Sequence, residues 1–101
     1  MTMITATELQ QKIANNEDFV LIDVREEFEH DHFNIGGKLI PMGTILNNVD
    51  EIPADKEVIF YCEKGIRSSI VIQRLQEKFG YSNLINLTGG MQAWRREVET
   101  I

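Results

Sequence analysis

Phe19-Val20-Leu21-Ile22-Asp23-Val24 is an almost unbroken apolar run, and Val58-Ile59-Phe60-Tyr61 is a second one. A strand with one wet face alternates polar with apolar residues, so runs of this kind belong to strands covered on both faces, the habit of parallel sheets. Between them lie helical patterns. Thr5 and Glu8 form a capping box ahead of Ala6, Leu9 and Ile13, a short helix ending at Asn15-Asn16. Ile4 opens a short strand before it. Arg25 to His32 is polar and weakly helical, and Leu39-Ile40, ahead of Pro41, is a brief strand displaced from the sheet centre because proline cannot donate to a ladder. Gly43 to Val49 holds one or two helical turns, and Pro53-Ala54-Asp55-Lys56 turns the chain back to Val58. Further on, Val71, Ile72, Leu75 and Phe79 fall on one helical stripe that Gly80 terminates, Asn83 to Leu87 is the last strand, and Thr88 is expected to cap a final helix carrying Met91 and Trp94. Strands alternating with helices predict an α/β fold, a mainly parallel five-stranded sheet with helices on both faces, formed by residues 1–101 as a single domain.

Composition narrows the function. Ten basic against sixteen acidic residues give a net charge of −6, with no Lys/Arg stripe to follow a phosphate backbone, so nucleic acid is not an expected partner. The start Met1-Thr2-Met3-Ile4-Thr5 has no basic segment leading into an apolar stretch, and no apolar run is long enough to span a bilayer. One cysteine makes no internal disulfide, which suits a reducing compartment; the expectation is a cytoplasmic protein with no membrane association.

That cysteine carries the chemistry. Cys62 ends the second apolar run and opens Cys62-Glu63-Lys64-Gly65-Ile66-Arg67-Ser68, after which the long helical stripe begins. A lone cysteine is more often a small buried hydrophobe. Here it stands at a strand's carboxyl end, before a glycine turn and a helix N-terminus, where open α/β sheets place ligands and where orphan N–H groups and the helix dipole stabilise a thiolate. Gly65 is expected in the left-handed conformation. Arg67 offers a rigid fork and Lys64 a point charge, or merely a solvated lysine. Glu63 works against a neighbouring thiolate unless it points away or pairs with a cation. Asp23 and Arg25 end their strand at the same sheet edge. His30 and His32 have no third ligand nearby and make no zinc site, Gly89-Gly90 is too sparse for a dinucleotide site, and Met91 with Trp94 reads as packing. No metal or cofactor is expected.

Four stretches in order, Leu21 to Glu26, His32 to Pro41 with Gly36-Gly37 inside, Cys62 to Ser68, and Leu87 to Trp94, make the chain similar to the single-domain rhodanese family. The resemblance implies a rhodanese-like sulfurtransferase. Cys62 would take a sulfane sulfur from thiosulfate, polysulfide or a low-molecular-weight persulfide, and pass it to a thiol or cyanide, or to a partner protein. Glu63, Lys64, Gly65, Ile66, Arg67 and Ser68 would form the substrate loop, with Asp23 and Arg25 tying neighbouring loops together. It also implies that His32 bonds backbone in the turn toward Gly36, although Asn34-Ile35 departs from the family's shorter pattern there. Four residues separate Cys62 from Arg67, one fewer than in the related cell-cycle phosphatases, and a turn with fewer N–H groups makes a narrower anion nest, favouring sulfur over phosphorus. A non-catalytic binding module is the main competing reading, and a phosphatase or arsenate reductase the second.

Overall fold

In the computed structural model, which describes residues 1–99, the sheet is assembled around the most apolar strand. The strands are β1 (Thr2–Ile4), β2 (Val20–Asp23), β3 (Lys38–Leu39), β4 (Val58–Tyr61) and β5 (Leu84–Leu87). They lie in the order β1-β5-β4-β2-β3 and every pairing is parallel. β4 takes the middle because each of its residues is apolar and buried, so it loses nothing by being covered on both faces. β3 is two residues long and lies at an edge, just ahead of Pro41, where a missing donor costs nothing.

The four α-helices are α1 (Ala6–Ala14), α2 (Glu27–His32), α3 (Ile66–Phe79) and α4 (Gly90–Glu97), with 3-10 turns at Met42–Asn47 and Val49–Glu51. Side chains alternate across a strand, so β4 feeds two cores. Val58, Phe60 and Cys62 face α3 and the 3-10 turns, beside Val71, Ile72, Leu75 and Ile45. Ile59 and Tyr61 face α1 and α4, beside Leu9, Met91, Ala93 and Trp94. The same alternation along β5 puts Ile85 and Leu87 in the second core and Leu84 in the first. Asn86, between them, is turned toward α3.

Local signals account for most helix ends. The Thr5/Glu8 capping box closes α1 at 3.1 and 2.9 Å, and Gly80 ends α3 in the left-handed region. Three expectations shift. Ile13 and Phe79 lie outside the cores, at 43% and 44% exposed, Phe79 resting edge-on against Tyr81. The residue capping α4 is Gly89 rather than Thr88, because the first N–H groups of that helix are spent on carbonyl oxygens of the cysteine loop and no side-chain cap is required. The turn toward Gly36 is closed by Asn34, whose amide donates to His30 O (3.0 Å) and accepts from Gly36 N (2.8 Å), while His32 points into solvent. No helix among the described residues is long and apolar enough to cross a membrane.

Candidate active site

The chain leaves β4 over one face of the sheet through α3, and leaves β5 over the other through α4. Between the carboxyl ends of two such strands a crevice opens, and Cys62 stands in it. Its side chain is 1% exposed and packs with the first core. The sulfur is nonetheless directed at polar hydrogens: Gly65 N–H donates to Sγ at 3.1 Å and Ser68 N–H at 3.4 Å, while Ser68 Oγ, also 3.4 Å away, gives its own hydrogen to Asn86. Ser68 is the third residue of α3, so Sγ sits where an N-cap oxygen sits on other helices, against two orphan donors and the positive end of the dipole. With Glu63, Lys64, Ile66 and Arg67, Cys62 lines a cavity of about 330 Å³. A larger hollow of about 360 Å³ lies elsewhere, between α1 and β1, and holds none of these residues.

Backbone contacts fix the loop from beneath. Met91 N–H and Gln92 N–H, at the start of α4, donate to the carbonyls of Cys62 (2.9 Å) and Glu63 (3.0 Å). Such an approach leaves no room for a side chain: a Cβ on Gly90 would lie 2.3 Å from Cys62 O, and Gly90 is already at φ +56°. Gly65 turns at φ +88°, as its place in the loop predicts. The Gly89-Gly90 pair therefore serves the cysteine loop itself.

Charged side chains surround the loop in pairs. Asp23 (0% exposed) and Arg25 (2%) form a sealed bidentate pair: Arg25 Nε and Nη2 donate to the carboxylate at 3.0 and 2.9 Å, and Arg25 N–H adds a bond at 2.9 Å. Burial works against the guanidinium charge, but Asp23 outweighs it and holds Arg25 above its ordinary value. Arg25 Nη2 also donates to Phe33 O at 2.6 Å, and Nη1 lies 3.7 Å from Glu63. His30 Nδ1–H donates to Asp23 at 2.9 Å. Glu63 is forked by Arg95 at 2.6 and 3.2 Å, so its negative charge is matched by two cations.

Arg67 is placed at the cavity wall with its fork engaged: Nη1 and Nη2 donate to the two oxygens of Glu29, on α2, at 2.7 and 2.9 Å. The guanidinium draws Glu29 down to about 2, and Glu29 in turn raises Arg67. Lys64 is exposed at the rim.

Two residues here were not among the sequence-predicted set. Glu29 is hidden in a polar helix with two other carboxylates, so nothing in the sequence distinguishes it. Asn86 did have a signal, as the one polar residue in Leu84-Ile85-Asn86-Leu87. It is 2% exposed, accepts from Ser68 Oγ–H at 2.5 Å and donates from Nδ2 to Gly65 O at 3.1 Å. One amide thus holds both residues whose N–H groups reach the sulfur.

Comparison with known proteins agrees with this architecture. Residues 5–97 match the Rhodanese-like domain family. A sulfurtransferase of Allochromatium vinosum is 37% identical over 94 residues, covering 92% of this chain and 87% of that protein. YtwF of Bacillus subtilis is 37% identical over 102 residues, covering 95% of this chain and 92% of its own length. Among solved structures, a rhodanese-like domain protein from Staphylococcus aureus superposes with a TM-score of 0.85 at 33% identity, covering 93% of this chain and 91% of the other. With its parallel α/β sheet and a cysteine set in the crevice between β4 and β5, the chain belongs to the rhodanese-like domain family, in which it stands with sulfurtransferases.

Proposed function

We propose that this protein is a sulfurtransferase that carries sulfur as a persulfide on Cys62, within a single domain and in a reducing, cytoplasmic setting. The observation that carries the reading is the convergence of Gly65 N–H and Ser68 N–H on Sγ at the N-terminus of α3. Fixed amides aimed at an anionic sulfur stabilise it without reorganising, which is what covalent catalysis by a thiolate requires. The thiolate attacks the sulfane sulfur of a donor, the donor's S–S bond breaks, and its remaining fragment leaves with the electron pair. A thiol, on a small molecule or on a partner protein, or cyanide then removes the outer sulfur and returns Cys62 to its starting state. Glu63, Lys64, Ile66 and Arg67 form the wall against which the donor is held, while Gly65 and Ser68 hold the sulfur by their N–H groups. Asp23 and Arg25 support that wall from behind, since Arg25 joins Phe33 to Glu63 while its charge is met by Asp23.

The test is mass spectrometry after incubation with thiosulfate, inorganic polysulfide or an organic persulfide. The expected result is a gain of one sulfur atom on Cys62, released by added thiol or cyanide and absent in Cys62→Ser. No gain with any donor would overturn the reading and leave a binding module in its place.

A further inference from the structure

We propose that Glu29 sets donor preference by occupying the fork of Arg67, so that Cys62 draws sulfur from organic persulfides with uncharged tails in preference to thiosulfate. The inference rests on the sulfurtransferase reading and adds the class of donor. A dianion such as thiosulfate is best held by a bidentate guanidinium. At this cavity both ends of the one guanidinium in its wall, among the described residues, are taken by one carboxylate. Glu29 is itself fastened, because Oε1 also accepts from Glu26 N–H at 3.1 Å in the capping box that starts α2. It is therefore part of the helix frame and does not behave as a loose side chain that a substrate displaces. With its carboxyl held at about 2, it stays ionised across the working range of pH.

The remaining cations leave little for an anion to use. Arg25 is sealed against Asp23, and Arg95 forks onto Glu63. Among the described residues, Lys64 alone of the four cations around the loop has no carboxylate partner, and a single mobile ammonium is a weak seat for two negative charges. The chain's net charge of −6 adds a general repulsion. On the other side of the balance, Ile66 lines the cavity and is 62% exposed, an apolar surface for an organic tail.

The chemistry is balanced for either donor. With an organic persulfide, Cys62 thiolate bonds to the outer sulfur, the donor's S–S bond breaks, and the thiolate RS⁻ departs with the bonding pair. With thiosulfate, the same attack expels sulfite with its pair.

Single-turnover sulfur loading of Cys62, followed by mass spectrometry with thiosulfate and with 2-hydroxyethyl persulfide, tests the proposal. The unmodified protein is expected to load from the persulfide with the higher second-order rate constant. In Glu29→Gln, and more so in Glu29→Ala, thiosulfate loading is expected to rise about tenfold, chiefly through a lower half-saturating donor concentration, while persulfide loading shifts less than about twofold. A residue needed only for folding would change both donors together. The proposal is overturned if the unmodified protein prefers thiosulfate, or if the donor ratio is unmoved in variants that retain the native circular dichroism spectrum. The unmodified protein's ratio decides the matter alone should both variants fail to fold. Absence of loading from every donor would instead bring down the sulfurtransferase reading itself.

Discussion

Asn86 shows how much of this site depends on one buried amide. Its acceptor holds the Ser68 hydroxyl and its donor holds the Gly65 carbonyl, and those two residues supply the N–H groups on Sγ. The amide orientation is fixed by chemistry, because Gly65 O can only accept. The Ser68 hydrogen then points to Asn86 Oδ1, and the oxygen turns a lone pair to the sulfur. Asn86→Ala would remove one hydrogen-bond partner each from the buried Ser68 hydroxyl and the Gly65 carbonyl, at a cost of about 1–3 kcal/mol read as a lower urea midpoint. Sulfur loading at Cys62 should slow beyond what the lost stability explains, because the N–H groups are no longer held in place; Asn86→Asp, which keeps the acceptor, should recover part of the Ser68 contact. A midpoint unchanged by Asn86→Ala would refute the clamp.

At the scale of elements, α4 acts on the site through the N–H groups of its first turn and through Arg95, which holds Glu63. The start of this helix grips the Cys62 and Glu63 carbonyls, and Gly90 is there because a Cβ would strike Cys62 O. Gly90→Ala should therefore cost about 3 kcal/mol, from strain at positive φ together with the forced retreat of the loop, and should suppress loading, whereas Gly43→Ala, at an open position, should do neither. Thermal melts and donor incubation of the two variants side by side check this. The strands and the left-handed Gly65 were legible because each is set by its own residues: apolar runs make covered strands, and a strand-to-helix turn of this length needs a glycine. Gly89-Gly90 was visible as a pair but not as the loop's support, since that role exists only when β4 and β5 lie side by side. Glu29 meeting Arg67 across 38 residues is of the same kind. His32 was misassigned because Asn34, two residues on, offers both a donor and an acceptor and closes the turn better.

For the whole molecule, two groups mark the ends of the pH range. Glu29, drawn by Arg67 to about 2 from 4.5, contributes stability that is complete above 4.5 and disappears as pH falls through about 2. Solvent screening limits it to about 1 kcal/mol. At the alkaline end, burial and then the nearby Asp23 charge push the Tyr61 phenol up to about 12. Its Oη is buried with no hydrogen bond, although the Ile35 and Gly37 amides lie near it. A raised phenol stabilises the fold fully below 10, the value of an unburied tyrosine, and that contribution drains away between 10 and about 12. Tyr61→Phe should melt no lower than the parent at pH 7 and distinctly higher at pH 11; equal melting at pH 11 would show that the phenol does not titrate with unfolding. The cysteine, finally, is fastened to both layers at once, its side chain in the core beneath α3 and its carbonyl on the tip of α4. Neither half of the molecule can come apart while the other keeps a competent nucleophile. Sulfur uptake is thus a chemical reporter of folding, and in a denaturant titration it should vanish in the same transition as the far-ultraviolet signal.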